Sequence, residues 1–187
     1  PEPEEDLPGF EQRNSAPETL QDHLLWQLHM APLSEQDRAI GEAIIEGVDD
    51  DGYLSTTLEE IAETFGVDTE DVHAVHTWVL HLDPLGVAAR DLGECLTAQM
   101  DELPADTPGL QLARRIASDH LEQLGKHDFK GIRRRLGVDE AELDEAVAFI
   151  RSLNPRPGTA IGGDTAPAVL PDVLVRHQGD RWRVELN

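Results

Sequence analysis

The sequence predicts a mainly α fold built from two helical subdomains, a four- to five-helix bundle and a three-helix bundle resembling a helix-turn-helix, with a C-terminal β-hairpin. Three observations predict it. Of 187 residues, 39% are apolar and only 4% aromatic, values low for a β-sandwich or a membrane protein and compatible with Leu/Ala/Val-cored helices. Apolar positions recur at helical spacing in short runs, each opened by a capping residue and closed by Gly or Pro. One helix, turn and helix pattern also occurs twice at a fixed offset. A chain of this length holds one ordinary domain or two small ones, each with a modest core.

Residues 1–17, PEPEEDLPGFEQRNSAP, contain four prolines and five acids. Such a segment cannot bury enough apolar surface to offset its ordering entropy, so it reads as an acidic disordered linker. Residues 18–103 form the first subdomain. Its first helix starts near Thr19, with Asp22 at capping-box spacing and Leu20, Leu24, Leu25 and Leu28 on one face, and Pro32 stops it. Ser34 and Asp37 cap a second helix striped by Ile40, Ala43, Ile44 and Val48, which Asp49-Asp50-Asp51-Gly52 turns away. Thr57 and Glu60 cap a third, carrying Leu58, Ile61, Ala62 and Phe65 and ending at Gly66 in a left-handed stop. Val72, Val75, Val79 and Leu82 mark the fourth, closed by Asp83-Pro84, and a fifth spans about 88–101.

The Pro/Gly/Asp break at 104–109 is the expected boundary between subdomains. Residues 104–157 then carry one longer helix (Leu112, Ile116, Leu121, Leu124) and two more near 128–136 and 139–152. Residues 158–187 are turn-rich, and Val173–Val175 and Trp182–Val184 flank His177-Gln178-Gly179-Asp180 as a hairpin connection. An isolated hairpin is marginal in water, so this one is expected to lean on the helices or on further chain.

Residues 58–84 align without a gap on residues 129–155, at an offset of 71. Ile61/Ile132, Gly66/Gly137, Val67/Val138, Asp68/Asp139, Leu82/Leu153 and Pro84/Pro155 coincide, and both copies read as helix-turn-helix. The second helix of each copy opens with carboxylates, Asp68, Glu70 and Asp71 in one and Asp139, Glu140 and Glu142 in the other. These would repel phosphate, which argues against direct sequence reading. The alternative, an independent DNA-binding module, would use Arg133, Arg134 and Arg135 on the supporting helix. That run is a candidate contact for a nucleic-acid backbone or an acidic partner, set against the plain reading of a solvated basic face.

Charge divides the chain. Residues 1–103 hold 25 acids against 3 bases, a balance of −22, and residues 104–187 hold 13 against 12, a balance of −1. The first half is a poor partner for nucleic acid and a good one for a basic protein surface. High negative charge also serves solubility alone. No stretch approaches the roughly 20 apolar residues of a membrane span and no leader opens the chain, so no membrane contact and a cytoplasmic location are expected. Cys95, the single cysteine, excludes an intrachain disulfide.

The sequence offers little for catalysis. His73, His76 and His81 fall on the fourth helix, and His73 and His76 share a face compatible with a metal. No carboxylate or Cys partner and no HExxH pattern accompany them, so solvated histidines are expected. Asp49–Gly52 lacks the alternating ligands and closing Glu of a calcium loop. Cys95, beside Leu92 and Leu96, reads as a small buried hydrophobe. With no Walker loop, GxGxxG or nucleophile elbow, the expectation is a non-catalytic protein without cofactor or metal.

DDDGYL (49–54), LEEIAETFGV (58–67), LDPLGVAARDLGECL (82–96), SLNPRPG (152–158) and LPDVLV (170–175) occur in the order and spacing of bacterial RNA polymerase sigma-54 factors. The chain resembles that family over about residues 18–187, and DPLGVAARDL is the most specific piece. The resemblance implies the core-binding domain, with part of the acidic linker, of a transcription initiation factor that binds core RNA polymerase. Such a factor directs polymerase to promoters with elements near −24 and −12 and awaits an AAA+ ATPase activator. The Gln/Leu-rich N-terminal region and the C-terminal helix-turn-helix with its basic box have no counterpart here. A fragment limited to polymerase docking is therefore expected, with activator and promoter DNA met through other parts of the parent. On this reading, Asp49, Asp50, Asp51 and Tyr53 at the turn and Arg90 and Asp91 before the fifth helix are the candidate polymerase contacts. For Arg90 and Asp91 the plain alternative is a helix cap and an internal ion pair. Gly86 and Pro84 are expected to shape the turn.

Overall fold

The structure, a computed structural model, describes residues 19–161, 173–178 and 181–186; the expected linker at 1–17 lies outside these. The helices are α1 (Leu20–Met30), α2 (Glu35–Glu46), α3 (Leu58–Phe65), α4 (Thr69–Val79), α5 (Leu92–Asp101), α6 (Leu110–Asp119), α7 (Leu121–Gly125), α8 (Phe129–Leu136) and α9 (Glu140–Ser152). A 3-10 turn follows at Pro157–Ala160. No helix among the described residues is long and apolar enough to cross a membrane.

Local chemistry sets these boundaries. Thr19 and Asp22, Thr57 and Glu60, and Asp139 and Glu142 form reciprocal capping boxes, each satisfying two amide donors that a helix start leaves unpaired. Gly66 and Gly137 close α3 and α8 in the left-handed region, at φ 63° and 69°. The two repeat copies thus share the same stop. α5 starts at Leu92 rather than near 88, because Asp91 is its cap. The single long helix expected after residue 109 is instead α6 and α7, interrupted at His120 (φ −132°, ψ 12°).

Two cores organise the helices. The first buries Leu24 and Leu28 of α1, Ile40, Ile44 and Ile45 of α2, Leu58 and Ile61 of α3, and Val72 and Val79 of α4. The second buries Leu110, Ala113 and Ile116 of α6, Ile132 of α8 and Leu143, Ala146 and Ile150 of α9, together with Leu96 and Met100 of α5. Leu80, Ala89, Cys95 and Ala98 make a small cluster against which Tyr53 packs.

The expected fold class needs two corrections. The second bundle is not three-helical: α5 to α9 all contribute to it, α7 through Leu121 and Leu124 at its edge. Nor is the C-terminal β-hairpin supported as a component of the fold, which is helical. Backbone pairing places Val173–Gln178 antiparallel to Arg181–Leu186, Val173 opposite Leu186. Among the described residues that ribbon is a two-stranded sheet of its own, and the cores described above draw on helices and loops. A two-stranded ribbon by itself is marginal in water.

Candidate functional site

Three chain segments meet at one corner over α5: the turn Asp49–Leu54, the segment Val87–Arg90 and the loop Asn154–Gly158. The turn closes on itself first. Asp49 donates its N–H to the Tyr53 carbonyl (2.9 Å), and its carboxylate accepts the Tyr53 N–H (2.8 Å). The turn then lies against the second segment, where Ala88 N–H donates to Gly52 O (2.8 Å) and Leu54 N–H to Ala89 O (2.9 Å).

The loop after α9 straps across both. Gln99 of α5 donates from Nε2 to the Asn154 carbonyl (2.7 Å) and accepts the Asn154 N–H at Oε1 (2.9 Å). Tyr53 Oη donates to Pro155 O (2.6 Å), and Gly158 N–H donates to Asp51 O (3.0 Å). Arg156 stands 3.7 Å from the Asp51 carboxylate. The crossing is so close that glycine is required on both sides. A Cβ on Gly52 would lie 2.6 Å from the Gly158 nitrogen, and Gly52 already occupies φ +97°.

Burial pushes the Tyr53 hydroxyl up to about 12, assisted by neighbouring Cys95. The Cys95 thiol is itself raised by burial, which makes it the inert, buried hydrophobe expected from its helical position.

Asp49 is exposed but turns its carboxylate into its own turn. Asp50 is exposed at the tip, and Asp51 is partly buried by the strap. Tyr53 bridges turn and strap. Arg90 grips Glu94 with Nε at 3.0 and 3.1 Å and Nη2 at 2.6 Å, while Asp91 accepts the Glu94 N–H (2.9 Å) as the α5 cap. These two residues therefore carry the internal jobs weighed as their plain alternative. The turn and Arg90–Asp91 sit on neighbouring segments. The arginine run lies apart, on α8, where Arg133 pairs with Glu140 of α9 (3.1 Å) and Arg134 and Arg135 are exposed.

Burial would raise the Glu94 carboxyl, but hydrogen bonds from the Arg90 side chain and amide, with attraction from His76 and Arg90, hold it below its ordinary value. His76 corrects the expectation of solvated histidines. It is 1% exposed, and its Nε2 donates to the carbonyl of Ala88 (2.8 Å), a residue held at φ +61°. Burial depresses its basicity. No group of three or more metal-ligating side chains occurs among the described residues.

A group whose folded pKa is depressed takes up protons more readily when unfolded, so its stabilising contribution is lost as pH falls below the unfolded value. For His76 that loss begins below about 6.5, and for Glu94 below about 4.3. The thermal midpoint is expected to drop between pH 7 and 5.5, and His76→Gln should flatten that segment of the profile. An equally steep profile in the variant would remove His76 from the account.

Neither Gln99 nor Asn154 is among the candidate residues that the sequence marks. The available signal was a polar amide on the face of α5 that also carries Cys95 and Leu96, where a buried polar group needs a partner.

The chain matches the family described as sigma-54 factor, core binding domain, over residues 9–187. It is 44% identical to the RNA polymerase sigma-54 factor of Azotobacter vinelandii, covering 100% of this chain and 38% of that protein. Against the sigma-54 factor of Escherichia coli (strain K12) the figures are 43% identity, 98% and 39%. A solved structure described as the core binding domain of sigma54 covers 74% of this chain and 89% of that chain at 22% identity, with a TM-score of 0.37, too weak an overlay to speak for the helix arrangement. The chain spans about two fifths of the length of the curated relatives it matches. A family match across nearly every residue, joined to 43–44% identity over the same span, makes this chain a member of the sigma-54 factor family, in its core-binding domain.

Proposed function

We propose that this chain docks on core RNA polymerase as the core-binding part of a sigma-54-type initiation factor. The family match over residues 9–187 carries the reading. The physical support is a pair of packed helical bundles braced at one corner, with an acidic turn displayed there and a strongly negative first half that basic protein surface would attract. In this reading the chain is a non-catalytic, cytoplasmic subunit without cofactor. Its parent directs polymerase to −24/−12 promoters and awaits an AAA+ ATPase activator.

The organisation proposed is an acidic linker at 1–17, helical subdomains at 18–103 and 104–157, and a turn-rich segment at 158–187. Separate cores support two subdomains, and α5 joins them by packing into the second. Asp50, Asp51 and Tyr53 are the proposed polymerase contacts at the turn, with Asp49, Arg90 and Asp91 shaping the surface beside them. Arg134 and Arg135 are the proposed contacts for an acidic partner or a nucleic-acid backbone. Arg133 is already engaged by Glu140, which weakens the alternative of an independent DNA-reading module.

Purified core polymerase should retain the chain in a pull-down, and full-length sigma-54 factor should displace it. Failure of retention, or retention without competition, refutes the proposal. The Asp50→Asn/Asp51→Asn pair is expected to lower affinity roughly threefold to tenfold at low salt and less at high salt.

A further inference from the structure

The outer face of α1 carries an apolar edge that neither core uses. Trp26 and Met30, one helical turn apart, are 60% and 73% exposed, the two most exposed large hydrophobics among the described residues. Leu20, Leu24 and Leu28 of the same helix are buried, so the Trp26–Met30 edge is not explained by the fold. Single exposed apolar residues are ordinary, but a tryptophan and a methionine together are the residue types that anchor protein interfaces.

The surroundings say which partner fits. His23 stacks on Trp26 with ring centroids 6.4 Å apart and reaches the Asp83 carboxylate at 3.4 Å. His29 bonds Glu42 (2.8 Å), and Asp22 lies at the helix start. Arg38 of α2 turns its guanidinium toward the Leu33 carbonyl (3.5 Å). Residues 1–103 carry 25 acids against 3 bases. A second copy of the chain would bring the same carboxylates to this edge, and nucleic acid or an anionic membrane would bring phosphate. Each is repelled. A protein surface with Lys and Arg around an apolar pocket is attracted to the acids and takes the indole, whose face also favours cations.

We propose that the Trp26–Met30 edge of α1 is the apolar anchor with which the domain seats on such a basic-rimmed pocket of core RNA polymerase. This rests on the polymerase-docking reading above. The test titrates core polymerase with the chain, its Trp26→Ser and Met30→Ser variants, and Phe65→Ser, an exposed apolar residue at the end of α3 that belongs to no core cluster, as a control. Thermal midpoints should match, since neither tested side chain is buried. Trp26→Ser is expected to weaken binding about tenfold or more, Met30→Ser by a smaller factor, and Phe65→Ser hardly at all. If the unaltered chain binds while both serine variants bind within about twofold of it, the anchor is overturned and docking stands. If the unaltered chain does not bind core polymerase, both fall.

Discussion

Gly158→Ala is expected to reduce the unfolding free energy by about 3 kcal/mol and to release the strap from the acidic turn. Backbone, not a yielding side chain, faces this position. An added Cβ would stand 2.6 Å from the Gly52 nitrogen and 2.7 Å from the Asp51 carbonyl carbon. Neither atom can move without opening the turn that Asp49 closes. The methyl group therefore costs either overpacking strain or the Gly158–Asp51 hydrogen bond together with the bonds beside it. Urea unfolding reads the stability loss. The chain's single tyrosine supplies a second, local readout. Tyr53, pushed up to about 12 by burial and bonded to the Pro155 carbonyl of the strap, should ionise nearer the ordinary 10 once the lifted strap opens it to water. A loss under about 0.5 kcal/mol, the scale of an ordinary surface substitution, with Tyr53 ionising as before, would show that the crossing tolerates a side chain and is no brace.

Gln99→Leu acts on the same strap from the α5 side, with an expected cost of about 2 kcal/mol. The leucine conserves volume and suits the apolar neighbourhood of Cys95 and Leu96. What it removes is a reciprocal pair, leaving the Asn154 N–H without its partner and the Asn154 carbonyl with only the weak Cys95 thiol donor at 3.7 Å, and a part-buried backbone group is costly to orphan. Combined with Gly158→Ala, the loss should fall well short of the sum, because a strap already lifted cannot be lifted again. Additive losses in the double variant would mean that Gln99 and Gly158 support separate features.

Much of this molecule was legible in its residues. Thr19/Asp22, Thr57/Glu60 and Gly66 announced helix starts and stops because capping and left-handed termination are local transactions, completed within three or four residues. The offset of 71 marked two equivalent helix-turn-helix units for the same reason. Short-range chemistry also placed Cys95 on a buried face. It failed for the long helix after residue 109, which breaks at His120, and for the hairpin as a component of the fold, since alternation and a turn signal describe two paired strands locally and carry no information on the fold around them.

The candidate site divides along the same line. Composition and the order of motifs determined the family, the acidic first half and the helical character of the chain, since each is additive along the sequence. Only the tertiary structure decided that DDDGYL and SLNPRPG cross at Gly52 and Gly158, that Gln99 clasps Asn154 from 55 positions away, and that His76 is a buried donor rather than a solvated base. Those are pairings between distant segments. Local propensity carries no term for them, and they exist only because two cores bring the segments within hydrogen-bonding distance.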